Sequence, residues 1–109
     1  PHGLSNSLVL PHVLRFNASA ASVLYAELLP FVSHGRSVAG TSAGCDAFID
    51  HMDHLIDDVN LPKTLREMEI AEQDLPMLAD DAMLQQRLLV NNPREVSRDD
   101  ALAIYRAAY

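Results

Sequence analysis

The chain of 109 residues has no tryptophan, one cysteine, four glycines and only 8 Lys and Arg against 15 Asp and Glu. Each scarcity removes a class of protein. A single Cys45 cannot close an internal disulfide, so no disulfide scaffold exists, and lone thiols suit a reducing compartment such as the cytoplasm. The net charge of −7, with no clustered Lys/Arg face, argues against binding to nucleic acid. No apolar run approaches the roughly 18 residues that span a bilayer, and no basic segment precedes the first apolar run as in a signal peptide. Glycines scattered at 3, 35, 40 and 44 cannot build a loop that cradles phosphate. With few aromatics, the core must come from Leu, Ala, Val, Ile and Met, a palette that favours helices.

What is present is apolar periodicity at helical spacing. The 49% apolar share supports one packed domain and argues against disorder. Four or five helices can be drawn and no stretch alternates like a strand. The first is expected from about Leu4 to Phe16, apolar nearly all round, with a kink at Pro11, whose missing N–H cannot bond the Ser7 carbonyl. A second, about Ala18 to Leu29, carries Ala21, Leu24, Tyr25 and Leu28 as its inner stripe and ends at Pro30. Ser33 through Gly40 reads as an exposed loop. A third, about Ser42 to Val59, sets Phe48, Met52, Leu55 and Val59 against an opposite face of Asp46, Asp50, Asp53, His54, Asp57 and Asp58. Thr64 to Met68 is at most a turn. Asp74 and Pro76 open a fourth helix with Leu75, Leu78, Ala79 and Ala82 inward. After the loop Asn91–Arg94, Ser97 and Asp100 form a capping box for a last helix with Ala101, Ile104, Tyr105 and Ala108 inward. The expected architecture is an all-α bundle of four to five helices.

The residues that carry chemistry are few. His2, between Pro1 and Gly3, suits a metal ligand at a helix entrance, but one imidazole makes no site, since transition metals take three or four protein ligands. Asp50, His54 and Asp58 lie four apart and could face a Zn, Mn or Fe(II) ion. The same spacing is that of an ordinary solvated helix face with paired His and Asp, which is the stronger reading. Cys45 lacks a neighbouring base and reads as a small buried residue. No nucleophile–base–acid set follows from spacing, so no catalytic residue is assigned.

The blocks PHGLSNSLVLPHVLRFN (Pro1 to Asn17), LPKTLREM (Leu61 to Met68), DLPMLADDAM (Asp74 to Met83) and LLVNNPREVSRDDALAIYRAAY at the C-terminus closely resemble the iron-containing, or group III, alcohol dehydrogenases. The resemblance covers the chain except Phe31 to Gly44. It implies the C-terminal part, residues 1–109, of the helical metal-binding domain of a two-domain dehydrogenase, with the dinucleotide-binding domain and the upstream ligand helices outside the chain. No methionine precedes Pro1, and the chain reads as the back end of a longer protein.

By that likeness the parent enzyme interconverts an alcohol and an aldehyde or ketone with NAD(P). Its Fe(II) or Zn(II) is held by one aspartate and three histidines, and acts as a Lewis acid on the reacting oxygen. His2 falls on the last of those ligands. The segment Leu88, Leu89, Val90 and Asn91 is expected to line the substrate cleft, and His12 is expected to pack or to back a ligand. The chain alone is expected to hold no cofactor tightly and to be inactive. The parent is expected to be a homo-oligomer, and an apolar face left open on the fragment would favour self-association. Maleylacetate reductases share a Pro–His motif, but acidic and histidine residues follow theirs where Gly3–Asn6 stand here. A rival reading is a non-enzymatic acidic helical module that binds a protein partner.

Overall fold

The computed structural model describes residues 2–35 and 38–109, with side chains from Asn6 onward; Pro1, Arg36 and Ser37 lie outside it. Among the described residues it is all-α, without strands. Five helices occur in the order α1 (His2–Val32), α2 (Thr41–Asp58), α3 (Leu75–Met83), α4 (Gln86–Leu89) and α5 (Arg98–Ala108), with one 3₁₀ turn at Glu72–Asp74. None of these helices is long and apolar enough to cross a membrane.

The first two expected helices follow one another without a loop, as two helical stretches joined at a kink. α1 runs 31 residues through both Pro11 and Pro30, and its one departure from helical geometry is at Ala21 (φ −127°, ψ 15°). Pro11 therefore does not set the bend. The departure falls within a run of short side chains from Asn17 to Ser22, where Asn and Ser favour the helix only weakly. Past the bend, Ala21, Tyr25 and Leu29 point inward, while Leu24 is 53% exposed. α1 ends beyond Pro30, where His34 and Gly35 take left-handed backbone (φ 51° and 77°). Gly35 N–H then bonds the Pro30 carbonyl at 2.8 Å. Both residues, with Val38 to Gly40, are exposed, as a loop here requires.

α2 lies tightly along α1. A Cβ added at Gly44 would sit 2.9 Å from the Ala26 Cβ, so only glycine permits this approach. The ring of Tyr25 stacks on Phe48 with centroids 5.5 Å apart. The inner face of α2 is Cys45, Phe48, Ile49 and Ile56, whereas Leu55 and Val59, expected inside, are 46% and 55% exposed. The chain carries two overlapping apolar stripes here, and the one in phase with Gly44 meets α1.

α3 and α5 match the sequence reading, whereas α4 has no counterpart in it. α3 starts at Leu75 with Pro76 in its first turn and buries Leu75 and Ala79, although Asp74 makes no side-chain cap. The preceding 3₁₀ turn already holds Asp74 in helical geometry. The Ser97 Oγ accepts from the Asp100 N–H at 3.1 Å and the Asp100 carboxylate accepts from the Ser97 N–H at 3.0 Å, completing the capping box of α5. Arg98 pairs with Asp80 at 2.6 Å across α5 and α3.

Two apolar clusters result, both supported by α1. One joins Leu8 to Leu65, Leu75, Ala79, Ala101, Leu102 and Ala108. The other joins Leu14, Ala21, Tyr25 and Leu29 to Cys45, Phe48 and Ile49.

Candidate active-site wall

Val9, Val13 and Phe16 recur four and three residues apart and so share one face of α1. Opposite them stand Ala101, Ile104 and Tyr105 of α5, Val96 before it, Ala82 of α3, Leu88 and Leu89 of α4, and Asn92 of the following loop. Together they enclose an apolar hollow of about 220 Å³. Burial, with the charge of Asp81 adding to it, pushes the Tyr105 phenol up from its ordinary value.

Of the segment expected to line a cleft, Leu88 and Leu89 reach this wall and Val90 and Asn91 do not. Val90 is 75% exposed, and the Asn91 amide turns back toward the Arg87 carbonyl at 3.4 Å. Val9, Val13, Phe16 and Val96 were not singled out from sequence, and Ile104 and Tyr105 only as part of the inner stripe of the last helix. The one signal available was the spacing of Val9, Val13 and Phe16 on the stripe that includes position 2.

Among the described side chains of α1, Asn17, 3% exposed, is the buried polar one. Its Nδ2 donates to the Asn92 Oδ1 at 2.8 Å, and the Asn92 Nδ2 donates back to the Asn17 Oδ1 at 2.7 Å. The Asn92 Nδ2 also donates to the Arg94 carbonyl at 2.6 Å. Arg94 donates to the Phe16 carbonyl at 2.9 Å and lays its guanidinium 4.0 Å over the Phe16 ring.

A second hollow of about 250 Å³, of mixed polar and apolar lining, lies between α1, α2 and the loop after α2, with Ser7, His12, Arg15, Asp53, Lys63 and Thr64 among its wall residues. Asp53 binds Lys63 at 3.1 Å and Arg15 at 3.4 Å, and Lys63 also binds Asp57 at 3.0 Å. Burial opposes the charge on Asp53, but Lys63 and Arg15 outweigh it and hold the carboxyl below its ordinary value. For His12, burial first and Arg15 next press the imidazole pKa down, Lys63 adds to this and Asp53 opposes it. His12 thus packs beside an ion-pair cluster, and as a neutral ring.

The other candidates separate. The His2 side chain lies outside the described residues. Asp50, His54 and Asp58 stand exposed on α2, and Asp53 beside them is committed to cations. Among the described residues no group of three or more His, Cys, Asp or Glu could hold a metal, so these side chains alone do not supply a complete ligand set. Cys45 is buried against Tyr25 and Phe48, and that burial, with Asp46 adding to it, raises its thiol pKa, which keeps it unreactive.

The family model for the C-terminal region of Fe-containing alcohol dehydrogenases matches residues 1–109. The chain belongs to this family. The match includes Phe31 to Gly44, where no resemblance was legible. Among the relatives of this family member, 1,3-propanediol dehydrogenase of Citrobacter freundii is 29% identical over the whole chain. Lactaldehyde reductase of Escherichia coli (strain K12) is 32% identical, also over the whole chain. Long-chain-alcohol dehydrogenase 1 of Geobacillus thermodenitrificans is 30% identical over 99% of it. A crystal structure of a 1,3-propanediol oxidoreductase superposes with a TM-score of 0.92 at 28% identity, covering the full chain. The chain spans about 28% of the length of these proteins. As an iron-type dehydrogenase segment it is related to oxidoreductases of alcohols and aldehydes.

Proposed function

We propose that residues 1–109 form the C-terminal part of the helical metal-binding domain of an NAD(P)-linked alcohol dehydrogenase. His2 is one ligand of its Fe(II) or Zn(II), and Leu88 and Leu89 form a wall of its alcohol pocket. The observation that carries this reading is register. Seven residues make about two helical turns and eleven about three, so positions 2, 9 and 13 of α1 fall on one stripe, and Val9 and Val13 line the apolar hollow. The hollow takes the carbon chain of the alcohol, and its reacting carbon lies toward position 2.

When bound, the metal supplies Lewis acidity to the alkoxide or carbonyl oxygen. The contribution of these residues is to bury the tail, keep water away and orient the reacting end. The other ligands and the dinucleotide site belong to the rest of the full-length protein, so the chain by itself is inactive. Leu84, Leu88 and Val90, exposed by 77%, 64% and 75%, form the apolar surface that the cofactor domain covers. The test is made on the full-length protein. His2→Ala is expected to lose bound metal and NAD(P)-linked alcohol oxidation together. Full metal content with full turnover in that variant would overturn the assignment.

A further inference from the structure

We infer that the Asn17–Asn92 amide pair and the Arg94–Phe16 stack form a clamp that fixes the width of the apolar hollow, and through it the length of alcohol accepted. The inference rests on the reading that this hollow takes the alcohol's carbon chain.

The wall that needs holding is α4. It is four residues long and buries none of them fully, so within this chain no buried side chain of its own fixes where Leu88 and Leu89 stand. The next anchored point is Asn92. Both hydrogens of its amide are engaged, one by Asn17 and one by the Arg94 carbonyl, while its oxygen accepts from Asn17. Neither amide can turn over without stranding a polar group at a site where Asn17 is 3% exposed. Arg94 closes the clamp from outside, since it holds the backbone and the ring of Phe16, itself a wall residue. Positions 16–17 of α1 and 92–94 of the loop are thereby locked together, and the gap between Val13 and Leu88 follows from that lock.

The wall is mostly aliphatic, so selectivity among alcohols comes from how many methylenes are buried. A methylene in a well-fitted pocket is worth about 10-fold or more in kcat/KM. A wall free to move gives up that discrimination while the reacting end stays where the metal and nicotinamide place it. Asn17, Asn92 and Arg94 are positioning residues.

The test uses the full-length protein with a series of primary alcohols from ethanol to hexanol. Asn92→Ala and Arg94→Ala are expected to flatten the dependence of kcat/KM on chain length by about tenfold between best and worst substrate. The change falls on KM for the preferred alcohols, with bound metal retained. Arg94→Lys, which keeps a donor for the Phe16 carbonyl, restores part of the profile. Arg94 is exposed, so its variants remain informative even where Asn92→Ala fails to fold. A uniform drop for every alcohol, with the profile's shape kept, would mean a purely structural role and overturn the inference. Leu88→Trp separates the two levels. If it reshapes the profile and the clamp variants do not, only the clamp fails; if it changes nothing, the pocket assignment fails and the clamp with it.

Discussion

Among single residues, His12 has the most legible consequence for solution behaviour. Its ring faces Arg15 from its own helix, Asp53 from α2 and Lys63 from the loop beyond, with Ser7 and Thr64 completing the hollow. Burial first, and then two cations against one nearby carboxylate, disfavour a positive charge on the ring, and the imidazole pKa is lowered from 6.5. The unfolded chain therefore takes up a proton, as pH falls through 6.5, that the folded chain refuses. Stability contributed by neutral His12 is full above that pH, declines as pH falls toward the lowered folded value, and then levels. Asp53, lowered from 3.8, adds a separate loss below that pH. Denaturation midpoints measured across this range should show the upper decline in the native chain and not in His12→Gln, with the lower decline in both. Equal slopes above pH 3.8 would refute the account. The sequence showed His12 on a helix but not its surroundings, because Asp53 and Lys63 come from other elements. Asn17 was equally opaque: its partner Asn92 lies 75 residues away.

Between elements, the α1–α2 contact depends on Gly44. Alanine there gains about 1 kcal/mol of helix propensity, yet its Cβ would meet the Ala26 Cβ at 2.9 Å and the Ala26 Cα at 3.4 Å. Neither atom belongs to a flexible side chain, so the helices must part, and overpacking of this kind costs about 1–3 kcal/mol. Gly44→Ala is expected to lower the thermal midpoint, and Ala26→Gly in the same chain to recover part of the loss. If the two losses simply add, the helices are not in contact at this point. This glycine also explains why the inner face of α2 was misread. Periodicity alone fits Leu55 and Val59 as well as Ile49 and Ile56, and the choice is made by which side of α2 has a gap for α1. Local chemistry was more legible. The capping box at Ser97 and Asp100 depends only on neighbours in sequence and stands as read; the loop at Asn91–Arg94 also stands as read, although Asn92 and Arg94 are held by Asn17 and Phe16 far along the chain. α4 went unseen because four residues with no buried side chain leave no periodic trace. Leu88 and Leu89 could be placed near a cleft only by resemblance, and their facing Val9 and Val13 depends on a fold contact.

At the scale of the molecule, α1 is the one element common to both apolar clusters, and the hollow lies against only one of them. Val9, Val96 and Tyr105 line the hollow and also pack on the cluster of Leu8, Leu75 and Leu102. None of the residues of the Tyr25–Phe48 cluster lines it. The two ends should therefore respond separately to core damage, since local openings follow packed units. Leu75 and Leu29 are matched probes, each 1% exposed, and truncating either to alanine should cost about 2–5 kcal/mol. Leu75→Ala is expected to speed amide exchange in α3 and α5 and to alter the alcohol-length profile of the full-length protein. Leu29→Ala should speed exchange in α2 and the second half of α1 and leave that profile alone. Since the stability losses are similar, a difference in profile cannot be put down to general weakening. Exchange raised equally throughout both variants would show instead that α1 transmits any loss along its full length, making the two clusters one cooperative unit.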